Sequence, residues 1–199
     1  MSDSEIFNNQ KLRTGGFYEL AIQVCSSTES TPIKLYTDLI WGLNQVAGPF
    51  NNNFEKIQPI IENIRHEGLL RLGSYSIPFI TYNIRESSPV ETGYNWFDLC
   101  IYTSAIEHIF GPEYSTWGPS QKVPNELMAF FTKTIKKLYE LHTYQLAILD
   151  FEVSGQYYLE DLFKPLNHSY QSSKFFIGKD NYDKVAIENR QYVTVVESM

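Results

Sequence analysis

The chain has 199 residues, 43% of them hydrophobic, which is enough for one well-filled core and short for two. Its net charge of -7 and pI near 5.1 exclude a surface that tracks phosphate backbones, because that work needs clustered Lys and Arg. Cys25 and Cys100 are too few for a disulfide framework and form no CxxC or Cys/His metal spacing, so both are expected as buried thiols in a reducing compartment.

Residues 1–16 read as a mobile tail, polar and partly acidic, with no apolar run of signal-peptide length. No later stretch reaches the apolar length that spans a bilayer, so a cytoplasmic protein without membrane contact is expected. Phe17–Cys25, FYELAIQVC, alternates as a strand with Tyr18, Leu20, Ile22 and Val24 on one side and Glu19 and Gln23 on the other. Thr31–Pro32 opens a helix whose apolar stripe is Leu35, Leu39, Ile40 and Leu43. Gly48–Pro49 and Asn51–Asn53 break the chain. Ile57, Ile60, Ile61 and Ile64 then repeat at helical spacing, which predicts a second helix up to His66, closed by Gly68.

From Leu69 the period changes to two. Leu69–Leu72, Ser76–Arg85 and Trp96–Tyr102 read as meander strands, separated by Gly73–Ser74 and the polar loop Glu86–Tyr94. Ser104 with Glu107 predicts a capping box on a short helix that ends before Gly111. The following loop holds Tyr114 and Trp117, large aromatics of the kind that anchor partners. The longest helix, Pro124–His142, aligns Leu127, Phe131, Ile135 and Leu138 along one face. In Tyr144–Gly155, YQLAILDFEVSG, strict alternation sets Ala147, Leu149, Phe151 and Val153 against Asp150 and Glu152. A short helix near Gln156–Phe163 and strands at Lys174–Ile177 and Val185–Val196 complete one α+β domain over residues 17–199. Its expected form is a mainly antiparallel or mixed sheet of about five to seven strands with helices packed on one face.

Opposite the apolar rows this pattern gathers Glu19, Gln23, Asp98, Tyr102, Asp150 and Glu152, joined by Thr81, Asn83 and Arg85. Residues two apart in a strand lie about 7 Å from each other and strands lie near 5 Å apart, so carboxylates of adjacent strands can converge and raise one another's pKa. Three uses of such a face stand side by side: a solvated sheet surface, a docking face for a basic protein, and a hydrolase or transferase centre with a divalent cation on Asp98, Asp150 and Glu152. His66, His108, His142 and His168 show no HxxH or HExxH pairing, Ser154 lacks the GxSxG frame, and no phosphate or dinucleotide fingerprint occurs. No catalytic residue, cofactor or metal is therefore assigned.

Three segments, Phe17–Ile22, Trp96–Leu99 and Leu149–Gly155, resemble the FYELAI, WFDL and LDFEVSG strands of a group of poorly characterised bacterial cytoplasmic proteins. The resemblance spans roughly residues 17–162 and is similar in general style to small acidic immunity proteins. It implies an α+β fold and a toxin-neutralising role, with no catalytic residue to carry over. The leading expectation is a non-enzymatic binding protein that presents Glu19, Arg85, Asp98, Tyr102, Tyr114, Trp117, Asp150 and Glu152 to a protein partner, such as a basic toxin or other effector. The carboxylate or metal enzyme and a homo-oligomer subunit are the alternatives.

Overall fold

The computed structural model describes residues 1–86, 93–114, 122–153, 155–166 and 173–197. Its backbone is an open eight-stranded sheet in the order β2-β3-β4-β5-β1-β6-β7-β8, one strand more than the sequence led us to expect. The strands are β1 Phe17–Ser26, β2 Val46–Ala47, β3 Arg65–Leu72, β4 Tyr75–Arg85, β5 Tyr94–Tyr102, β6 Leu146–Phe151, β7 Lys174–Gly178 and β8 Val193–Val196. All neighbours are antiparallel except β7 and β8.

The first face of the sheet carries Tyr18, Leu20 and Ile22 of β1 with Phe97, Leu99 and Leu149 opposite them, all buried. Two helices cover it, α2 (Thr31–Trp41) and α4 (Asn125–Leu141). In α4, Leu127, Phe131, Ile135 and Leu138 recur every three or four residues and form the buried stripe, with the Phe131 ring edge-on to Tyr18 at 5.5 Å. The Tyr36 hydroxyl donates to the His142 carbonyl at 2.6 Å, fastening α2 to the end of α4.

The second face is covered too. Ala21, Trp96, Ile148 and Phe175 share a separate apolar cluster with Val153, Tyr157, Leu159 and Leu162, which return across the sheet after β6. The helix expected near Gln156–Phe163 is a single 3-10 turn, Leu159–Phe163. The strand expected from Val185 begins only at Val193, after another 3-10 turn at Ile187–Tyr192.

Three further expectations are corrected. Residues 1–16 are not a free tail: α1 (Asp3–Asn8) is capped by Ser2 and Glu5, buries Phe7, and is tied to the second face by Asp3, which accepts from Arg71 at 2.6 Å and Ser76 at 3.0 Å. No helix forms over residues 57–64. Pro59 has no N–H to give a helix and disfavours helical backbone at Gln58, and Ile60 and Ile64 stay exposed. Ser104 lies inside α3 (Thr103–Phe110) rather than at its cap, and its hydroxyl accepts the N–H of Thr14 at 3.0 Å.

Candidate functional site

The strand register brings most of the predicted acidic residues together. Glu19 faces Asp150 directly across β1 and β6, while Cys100 and Asp98 of β5 face Glu19 and Ala21. The group lies inside the protein: Glu19 is 3%, Asp98 1% and Asp150 7% exposed. The Cys100 thiol donates to Glu19 Oε2 at 3.4 Å, and Asp150 accepts from the Ser173 hydroxyl at 2.7 Å and from the Phe151 N–H at 2.8 Å. Burial, with Asp98, Glu19 and Glu152 nearby, pushes the Cys100 thiol well above its ordinary range, which keeps it a protonated donor.

Tyr102 is buried as well, its ring 4.9 Å from Phe17 and its hydroxyl accepting from Arg65 at 3.2 Å. Arg65 and Arg13 both pair with Glu67, so two cations and a carboxylate close this end of the seam. Glu152, expected on the strand, lies just past the end of β6 in a left-handed conformation, φ 53°, and accepts the N–H of Phe17. The carboxylate lies close over the neighbouring Gly16, where an added Cβ would displace it.

Burial at this depth takes Glu19, Asp98, Asp150 and Tyr102 out of any docking surface. Much of the cover on this face comes from Val153, Tyr157, Leu159, Leu162 and Val185, which are scattered over 153–185 and do not read as one face in sequence. Thr81, Asn83 and Arg85 are on the opposite side of the sheet from this seam, since Thr81 pairs with Leu99 and Asn83 with Phe97. In SIPFITYNIR both parities hold apolar residues and both are buried, so alternation could not decide which side was which. Tyr114 ends a 3-10 turn, Pro112–Tyr114, and packs on Phe110 at 6.2 Å, away from the seam; Trp117 lies outside the described residues. Among the described residues, no three of His, Cys, Asp and Glu are placed to share a metal ion.

The open site is at the far end of β4 and β5. A groove of about 440 Å³ runs between the start of α2, the loop before β3 and the last residues of β4. Ile33, Ile61, Ile64 and Ile84 give it apolar walls, Glu29, Glu62 and Arg85 its charges, and Asn83 and Asn95 its amides. Ile64 is 65% exposed, and Ile60 and Ile84 are also uncovered. Asn95 donates to the carbonyls of Ser26 and Glu29, which fixes the turn that carries Glu29.

Around the β4 edge the same rim turns aromatic. Ile84 pairs with Trp96, whose indole N–H donates to Glu86 at 2.8 Å. The Tyr158 hydroxyl donates to the same Glu86 oxygen at 2.8 Å, and the Tyr94 hydroxyl to Glu160 at 3.3 Å. The bond to Glu86 raises the Tyr158 pKa, and burial raises that of Tyr94, so both hydroxyls stay neutral donors. Glu29 and Glu62 thus share the groove with Arg85, while Glu86 and Glu160 are held by Trp96, Tyr158 and Tyr94. In the sequence, Arg85 alone of these was singled out; the one available sign of the rest was a helix-spaced isoleucine set interrupted by Pro59.

No helix among the described residues is long and apolar enough to cross a membrane. No protein-family model matches the chain, and no curated protein or solved structure matches it.

Proposed function

We propose that this chain is a non-enzymatic binding protein of the immunity or inhibitor type, which holds a basic protein partner, a toxin or other effector, on the rim that runs from the α2 groove to Tyr94 and Tyr158. The reading keeps an acidic, Tyr-bearing interface and moves it off the buried sheet face. The observation that carries it is the uncovered apolar wall of Ile64 and Ile84 beside Glu29 and Glu62 in one groove. Exposed aliphatic side chains gathered at one place favour burial by a partner, and a surrounding field of one sign selects and speeds a partner of the other. The two free buried thiols agree with a cytoplasmic setting.

Affinity capture from the native host with the wild-type protein, an Ile64→Asp/Ile84→Asp variant and a Glu29→Lys/Glu62→Lys variant tests the reading. The wild type should retain a basic protein at low ionic strength and release it as salt rises, and both variants should fail to retain it. If all three baits retain the same set of proteins, the rim is not the interface.

A further inference from the structure

We propose that the groove beside α2 is a receptor for a free carboxyl terminus: it takes the last two or three residues of a partner chain that end in an aliphatic residue with Lys or Arg just upstream. The proposal rests on the binding reading above and specifies what enters the groove.

Three features of the groove call for an anion. Arg85 makes no ion pair among the described residues, although Glu29 and Glu62 line the same groove. Asn83, 7% exposed and on the groove's inner side, accepts from the Thr37 hydroxyl at 3.4 Å through Oδ1, yet its Nδ2 has no acceptor among the described residues. A buried amide donor left unmatched favours a ligand that brings an oxygen to it. The start of α2 adds the positive end of an eleven-residue helix. Ser30 places no side-chain oxygen on its first amides, and Pro32 has no N–H of its own.

The remaining features define the rest of the ligand. Ile33, Ile61 and Ile64 offer an apolar pocket for a branched side chain, while Glu29 and Glu62, both exposed, supply acceptors for a basic one. A free terminus supplies the carboxylate in every sequence, and an internal segment supplies one only through Asp or Glu. The groove's volume falls within the roughly 300–1,000 Å³ of sites that enclose a drug-sized ligand, which suits a chain end rather than a single amino acid. Capture of terminal carboxylates by backbone amides and a cation is a recurrent recognition mode, and here the amide nitrogen of a buried Asn joins it.

The test uses the full chain and a randomised tetrapeptide library attached through its N-termini, presented once with free carboxylates and once as C-terminal amides. The free-acid library should yield a consensus with Leu, Ile or Val last and Lys or Arg one or two positions earlier. For the best peptide, amidation should weaken binding at least tenfold by calorimetry, as should Arg85→Glu and Ile64→Asp, both at exposed positions where folding is retained. Equal retention of the amidated library, a consensus built on internal Asp or Glu, no consensus at all, or an unchanged affinity in Arg85→Glu each overturns the proposal. None of these results touches the partner capture through Ile64 and Ile84, so the terminus assignment and the rim interface fail separately.

Discussion

Ile60 donates its backbone N–H to Nε2 of His66 across 3.2 Å. That bond ties the non-helical loop over 57–64, which carries Ile61 and Ile64 of the groove, to the first residues of β3. His66 is buried under Trp41, whose ring lies 6.0 Å away, and burial lowers its pKa below the ordinary 6.5. The nitrogen must therefore be unprotonated to accept from Ile60.

Stability should follow. An unfolded chain takes up a proton at this histidine near pH 6.5 while the folded chain resists it. The contribution of the neutral imidazole is complete above that pH and is lost as pH falls below it, until the folded pKa is reached. Within that window the loss is at most about 1.4 kcal/mol per pH unit. Denaturant titrations between pH 7 and pH 5 should show stability falling with pH in the wild type and falling less in His66→Gln, whose amide oxygen can still accept from Ile60. Identical slopes would mean that His66 is not the titrating group.

Phe131 of α4 meets Tyr18 of β1 at the centre of the first face, and both residues are buried. Truncation leaves a cavity walled by the sheet and a helix that cannot shift far, because Tyr36 and His142 hold its end. Phe131→Ala should lose about 3–5 kcal/mol in equilibrium unfolding. A loss below about 1 kcal/mol would show that α4 is only loosely seated on the sheet.

The first face was legible because β1, β6 and α4 each have one apolar side, and period alone assigns Tyr18, Leu149 and Phe131 to it. The same period set Glu19, Asp98 and Asp150 on the other side. That Glu19 meets Asp150 and approaches Asp98 follows from the adjacency of β5, β1 and β6, which no single strand encodes. Their burial was not legible either, since Val153, Tyr157, Leu159 and Leu162 cover the second face from a stretch with no regular period. Helical spacing misled at Ile57–Ile64, where Pro59 outweighs the pattern. The groove depends on residues from three separate parts of the chain, Ile33, Ile61 and Ile84, which only the sheet order brings together.

Cys100 and Cys25 should differ from surface thiols in reactivity. Both have pKa values raised chiefly by burial, and carboxylates around Cys100 oppose its ionisation further. Only the thiolate attacks alkylating reagents or disulfides. Iodoacetamide at pH 8 should therefore leave Cys100 unmodified for as long as the chain stays folded, with Cys25 reacting slowly, and both should react at once in guanidinium. Mass spectrometry of the native protein would sink this account of the seam if Cys100 were labelled first.

The N-terminal segment gives the sharpest contrast with a mobile tail. Phe7 packs on Phe50 at 5.4 Å and Phe54 at 5.3 Å, and Arg13 lies over its ring while pairing with Glu67. The start of α1 was in fact readable, since Ser2 and Glu5 have the capping-box spacing and each satisfies the other's backbone N–H. The helix is too short to persist alone, so its order depends on the docking of Phe7. Phe7→Ala removes the anchor at a cost of about 3 kcal/mol, enough to populate the undocked segment strongly. Trypsin under native conditions should then cut after Lys11 and Arg13 much faster than in the wild type, while the rest of the domain stays resistant. Equally fast cleavage of the wild type at these sites would restore the free tail.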